Sequence, residues 1–246
     1  MSTEELLVAI ARCPDVSKAC QDDGHPCARV VQHQDCADGA RRHVPEPWNG
    51  HLETAPILFV SSNPSYDARE HFPSAGDLDR EIIDFFERRF DDWIVDGNRP
   101  VVRPGEGAKA SVRYLSEIRR RAAEILPDPI PGIDYALTEV VHCKSPGRIG
   151  VAKAASHCAE AWLGRVLSAS GAAVVVATGK DARRAVRDHL GLVEEVPHHV
   201  DGDGRHWLFI GGIGSAEVRK LSRLLDGRTL SGVRQAVEQA RAERSG

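Results

Sequence analysis

The chain reads as a single α/β domain: a mostly parallel central sheet flanked by helices. Three observations predict this. Four short apolar runs recur, at 55–60, 135–141, 172–177 and 207–210. Each is followed by a segment with helical spacing of its apolar residues, the alternation that buries a parallel sheet on both faces. And 246 residues, 41% of them hydrophobic and 28% charged, suffice for one sizeable core.

Residues 3–12 have a short helical pattern, with Leu6, Leu7 and Ile10 on one face. From 13 to 50 the chain is rich in Cys, His and Pro with little periodicity, a segment that needs a staple to hold it. Residues 55–60, Ala-Pro-Ile-Leu-Phe-Val, are a buried strand running into a turn at 61–65. Residues 78–90 are helical, with a stripe of Leu78, Ile82, Phe85 and Phe86, whereas 96–106 hold two prolines and two glycines and read as a loop. Helix returns at 110–126. The second strand, 135–141, ends at His142-Cys143; helix follows over 152–169. The third strand, 172–177, stops at Gly179 before a helix from Asp181. The fourth, 207–210, enters Gly-Gly-Ile-Gly-Ser and a helix from Ala216, and 229–244 is a last amphipathic helix. There is no internal repeat. The domain thus divides into an N-terminal Cys-rich part (1–50), a core (55–225) and a C-terminal helix (226–246).

The carboxyl ends of parallel strands carry the functional loops, which directs attention to 61–67, 139–145, 178–180 and 211–215. A net charge of −4 says little about partners, because local clustering matters to a phosphate backbone. Basic clusters occur at Arg119–Arg121, at Lys144/Arg148/Lys153 and at Arg219-Lys220/Arg223, each of which also reads as a solvated helix face. No apolar run is long enough to span a bilayer, and the first residues lack the layout of a signal peptide; a cytosolic location is expected. In that compartment six cysteines suit metal binding better than disulfides. Cys13, Cys20, Cys27 and Cys36 crowd the N-terminus at spacings of 7, 7 and 9, and Cys143 and Cys158 form a separate pair 15 apart.

Several motifs follow in a fixed order: Phe59-Val-Ser-Ser-Asn-Pro-Ser65, Arg69-Glu-His-Phe-Pro-Ser-Ala-Gly76, Thr138-Glu-Val-Val-His-Cys143, Cys158-Ala-Glu-Ala-Trp-Leu163 and Val174-Val-Val-Ala-Thr-Gly179-Lys-Asp-Ala182. In this order and spacing the sequence resembles the uracil-DNA glycosylase superfamily over about 55–220, and most closely the branch with a four-cysteine iron–sulfur cluster. The resemblance implies a [4Fe–4S] cluster, with Cys143 and Cys158 as two ligands. Cys13 and Cys27 are its favoured N-terminal partners, Cys20 and Cys36 the alternative pair. A structural zinc ion would accept the same four thiolates.

The resemblance also implies a pocket for a base taken out of the stack. Phe72 matches the aromatic on which that base stacks, Ser62 lies in the base-binding turn, and Asn63 matches the residue that holds the attacking water. Glu139 stands where relatives read the uracil edge with an Asn amide. An ionised carboxylate only accepts hydrogen bonds, so Glu139 would repel the uracil O4 and suit an amino-bearing edge, or act as a base on water. At the fourth strand end relatives carry His-Pro-Ser in the loop that enters DNA; here Gly212, Gly214 and Ser215 occupy it, and the His is missing.

Hydrolysis of an N-glycosidic bond in deaminated or damaged DNA is therefore the expected activity, by a monomer. Two alternatives remain: a DNA-binding relative without turnover, and an enzyme of nucleosides or nucleotides on the same fold.

Overall fold

The structure is a computed structural model and describes residues 1–34, 42–107, 110–212 and 220–244. Three short helices open the chain, α1 (Thr3–Ala11), α2 (Asp15–Gln21) and α3 (Ala28–Val31), followed by the two-residue strand β1 (Trp48–Asn49) and then β2 (Ile57–Ser61). Next come α4 (Asp79–Glu87), a small hairpin of β3 (Ile94–Val95) and β4 (Arg99–Pro100), α5 (Arg113–Ile125) and β5 (Tyr135–Glu139). A nearly continuous rod of α6 (Val151–Cys158), a wide π-helical turn (Ala159–Leu163) and α7 (Gly164–Ala169) precedes β6 (Val174–Thr178) and α8 (Gly179–Leu190). The chain ends with β7 (His198–Val200), β8 (His206–Ile210), α9 (Leu221–Leu224) and α10 (Gly227–Arg244).

The sheet order is β1-β5-β2-β6-β8-β7. Its four central strands are parallel, and the short edge strands β1 and β7 run antiparallel to them. Each central strand is apolar on both faces. Leu58, Val60, Ala136, Val175, Ala177, Trp207 and Phe209 point into one core with α1, α4, α6, α7 and α8. Ile57, Phe59, Tyr135, Leu137, Val174, Val176, Leu208 and Ile210 point into the other, with α5, α9 and α10. The alternation follows from the two-residue period of a strand and explains why these runs read as continuously apolar.

The C-terminal helix belongs to this same body. Leu230, Val233 and Val237 of α10 are buried in the second core, and Arg241 and Arg244 pair with Asp134, which is fully buried. Some expected details differ. Leu78 is 62% exposed because it precedes α4, where its N–H donates to the Glu81 carboxylate at 2.9 Å. The presumed loop at 96–106 includes β4, while β1 and β7 are too short to register as strands in sequence. The 13–50 segment has helical turns of its own, and its later part is pinned by bonds such as Glu46 N–H to the His142 carbonyl at 2.8 Å. The helix expected from Ala216 begins outside the described residues.

Candidate functional site

The carboxyl ends of β2, β5 and β6 meet because their register places Ser61 opposite Glu139, and Ser61 Oγ lies 2.8 Å from Thr178 Oγ1. The end of β8 comes in beside them. Gly179, with φ of +82°, sits beside it: a side-chain carbon there would be in ordinary contact with Gly212 Cα at 3.5 Å and Ser62 Oγ at 3.8 Å. The left-handed backbone, not crowding, calls for glycine.

Beside this junction, on the β5 side, is a cavity of about 210 Å³. That is below the roughly 300–1,000 Å³ of clefts for drug-sized ligands and suits a single heterocycle. Its walls are apolar, from Pro64, Ile94, Pro100, Val112, Leu115 and Leu137, and its polar groups converge from Asn49, Asn63, Tyr114 and Glu139. Asn63 donates from Nδ2 to the Pro64 carbonyl at 2.9 Å, which turns Oδ1 away from it. Asn49 is likewise oriented by donating to Glu46 Oε1 at 2.6 Å. Asn63 Oδ1, Asn49 Oδ1 and Glu139 Oε2 are buried, with no hydrogen-bond partner among the described residues. Buried polar atoms of this kind are normally satisfied, so a cavity whose lining residues carry three of them is set for a ligand or water that can hydrogen-bond.

Four more charged residues line or flank this cavity, and sequence inspection missed three of them. Arg89 bridges Glu46 at 3.0 Å and Glu70 at 2.8 Å, and Lys144 Nζ sits 3.4 Å from Glu46 and 3.1 Å from Glu70. All four are buried. Burial alone would raise the pKa of Glu46, but Arg89 and Lys144 outweigh it and hold the carboxyl at about 2. Two cations and two anions balance. Glu139, 5% exposed, has no such partner among the described residues, where its one side-chain hydrogen bond is a long one from the Tyr114 hydroxyl to Oε1, at 3.5 Å. Burial, and then the negative charge of Glu46, push its pKa well above the usual carboxylate range. This environment favours the protonated form of Glu139. A neutral carboxyl has one donor and one acceptor, the same pair as an amide.

Phe72 is placed differently from expectation. Its ring is 6% exposed, with Lys144 Nζ 3.7 Å and the Arg89 guanidinium carbon 4.9 Å from its centroid, and His43 stacked at 5.0 Å. The aromatic face attracts the cations, so the ring supports the ion quartet and is not open to a base. Ser62 lies at the strand-end junction, where its carbonyl accepts from Val141 N–H at 3.0 Å, outside the cavity lining. Gly212 is half-buried beside Gly179; Gly214 and Ser215 lie outside the described residues. The basic clusters are dispersed. Lys144 is buried, Arg121 is buried and paired with Glu124, Arg120 with Glu117 and Arg148 with Asp181.

On the other side of His142, Cys13, Cys27, Cys143 and Cys158 line one small cavity closed by Pro45, Val141 and Trp162. All four are free thiols, whereas Cys20 is held in a disulfide and Cys36 lies outside the described residues. Desolvation by burial pushes every one of the four up, Cys27 to about 11 and Cys158 to about 12, with Cys143 raised further by its neighbour Cys158. Bare thiolates are unstable there without a cation. Backbone groups of Asp15 and Val16 and the Trp162 side chain bond Cys13, and the backbone of His142 bonds Cys158, contacts that favour the thiolate. Four soft donors around one cavity are the donor set of an iron–sulfur cluster or a zinc ion, but no three of these sulfurs lie within 4.8 Å of one another, wider than a single zinc ion would hold them. Gly150 lets α6 reach the site: at φ of +81° its missing side chain would meet Val30 N at 2.5 Å, so α6 and α3 are in backbone contact.

Asp15, His25 and His157 adjoin these cysteines and place ligand atoms within 4.8 Å of one another. His25 Nδ1 accepts from Cys27 N–H at 3.1 Å, which leaves the ring proton on Nε2, facing Asp15 at 3.8 Å. His157 Nε2 lies 2.8 Å from the other Asp15 oxygen. Asp15 and His157 are hydrogen-bonded, and His25 stands beside them at ion-pair distance.

Comparison with known proteins adds no family: no family model matches the chain, and no curated protein does. The class that fold and site define is an α/β protein with a small polar cavity at the carboxyl ends of its parallel strands.

Proposed function

We propose that this protein takes a nucleobase flipped out of DNA into the cavity at the ends of β2 and β5 and hydrolyses its N-glycosidic bond, the activity of the uracil-DNA glycosylase superfamily it resembles. One observation carries the reading: Asn63 and Glu139, distant in sequence, converge on a single heterocycle-sized cavity with acceptor atoms unpartnered. In this reading Asn63 Oδ1 holds the water that attacks the sugar C1′, and the Glu139 carboxyl binds the base edge. Neutral Glu139 supplies the donor and acceptor that relatives obtain from an amide, which removes the objection to a carbonyl-bearing base. The quartet of Glu46, Glu70, Arg89 and Lys144 keeps the cavity floor rigid and free of net charge.

The four thiolates of Cys13, Cys27, Cys143 and Cys158 hold a [4Fe–4S] cluster in this proposal, with zinc as the alternative occupant. Such a centre supplies cross-linking: it ties the first helical turns to β5 and α6.

The test is a panel of labelled oligonucleotides, one lesion each, single- and double-stranded, treated with alkali after incubation. Strand breakage at one lesion is expected, and a panel without breakage refutes turnover. Binding to a lesion without breakage would instead identify a capture protein, the reading favoured by Gly212 where relatives have a His.

A further inference from the structure

We propose that Glu139 is the general acid of this reaction: it carries its proton on Oε2 towards the departing base, while a hydroxyl chain through Thr178, Ser61 and Tyr114 fixes Oε1 as the acceptor and steadies the carboxylate left after proton transfer. The inference rests on the glycosylase reading and gives that site its proton donor.

The geometry begins with charge. The cations nearest Glu139, Arg89 and Lys144, are engaged with Glu46 and Glu70, so the carboxyl lies among balanced charges and buried apolar side chains, where the protonated form is favoured. Its two oxygens differ. Oε1 faces the Tyr114 hydroxyl at 3.5 Å, and that hydroxyl is in short contact with Ser61 Oγ, which is 2.8 Å from Thr178 Oγ1. A chain running from Thr178 through Ser61 and Tyr114 ends as a donor to Oε1. The proton then belongs on Oε2, which has no hydrogen-bond partner among the described residues, and Glu139 is one of the residues lining the cavity.

The step balances. As the bond from C1′ to the base nitrogen breaks, its electron pair goes to the base, and the Oε2 proton passes to a base oxygen or nitrogen. Water held at Asn63 adds to C1′ and gives up a proton, which restores the neutral acid through solvent. The carboxylate left in between accepts the Tyr114 hydrogen bond on Oε1. This supplies by proton transfer the leaving-group stabilisation for which Gly212 has no side chain.

Three measurements decide it. Infrared difference spectra of wild type against Glu139→Gln at neutral pH report the protonated carboxyl directly, whatever the turnover; an ionised Glu139 overturns the proposal. Glu139→Gln should slow base release about 100-fold or more, and the loss should shrink markedly on a substrate whose base leaves readily as an anion, such as a 5-fluoro-substituted pyrimidine. An equal loss on both substrates, or none, refutes the acid while leaving the glycosylase reading intact. Wild type inactive on every substrate refutes both. Tyr114→Phe should move the alkaline limb of the rate profile to higher pH, because it removes a donor to the carboxylate that Glu46, Lys144 and Arg89 also face. An unmoved limb excludes Tyr114 as the positioning residue.

Discussion

Replacing Lys144 by Met tests the ion quartet most directly. Lys144 is 1% exposed, and its Nζ is bonded to both Glu46 and Glu70. Methionine keeps most of the volume but leaves two buried carboxylates sharing Arg89. Breaking a buried pair from one side costs about 3–5 kcal/mol. The carboxyl of Glu46 is held at about 2 against its burial by Arg89 first and Lys144 second, so Lys144 carries part of that stabilisation. For a chain of this size a cost of about 3–5 kcal/mol lowers the melting temperature by roughly 6–20 °C. A depressed carboxyl contributes its stability above its unfolded pKa and loses it as pH falls through the folded one. The gap between wild type and Lys144→Met should therefore be widest at pH 7 and narrow from about pH 4.5 towards 2. Thermal unfolding followed by circular dichroism, stepped through pH, measures both. Adding Glu70→Gln to Lys144→Met should recover much of the loss, because one cation then faces one anion. An equally stable Lys144→Met protein, or a deficit that does not change with pH, would refute the charge balance inferred here.

Two other predictions concern the remaining surfaces. Cys143→Ser or Cys158→Ser should abolish bound iron and its broad visible absorption and give unfolded or insoluble protein, while Cys20→Ser should keep its metal; metal analysis of the purified variants decides, and stoichiometric zinc in the wild type would replace the cluster while keeping the site. DNA binding should weaken steeply as salt is raised, because Lys and Arg contacts release counterions; a flat titration of a labelled duplex would point to a small nucleoside substrate.

The four parallel strands were legible because each is buried on both faces and so spells a continuous apolar run. The convergence of Asn63 with Glu139, and of Cys13 and Cys27 with Cys143 and Cys158, was anticipated from motif order. The charged quartet was not, because Glu46, Glu70 and Arg89 have no periodicity that distinguishes a buried charge from a solvated one. Lys144 was read as part of a surface cluster, although its position directly after Val140-Val141-His142-Cys143 marks it as the continuation of a buried strand. Phe72 was read as a stacking platform for a base, with a core ring as the alternative; nothing in sequence shows that Lys144 and His43 pack on it. Tyr114 gave no signal, since its role depends on α5 crossing the end of β2.

The short edge strands have a consequence for solubility. A sheet rim presents unpaired N–H and C=O groups to any passing chain, and long flat rims recruit copies of themselves. Here one rim is the two residues of β1, both buried, and the other the three of β7, whose register with β8 ends where the chain turns at Asp201. Neither is long enough to template a further strand. The apolar ladders that would drive aggregation are confined to the interior of the sheet, so this protein should tolerate high concentration in its folded form and become vulnerable only where β2 or β6 is uncovered.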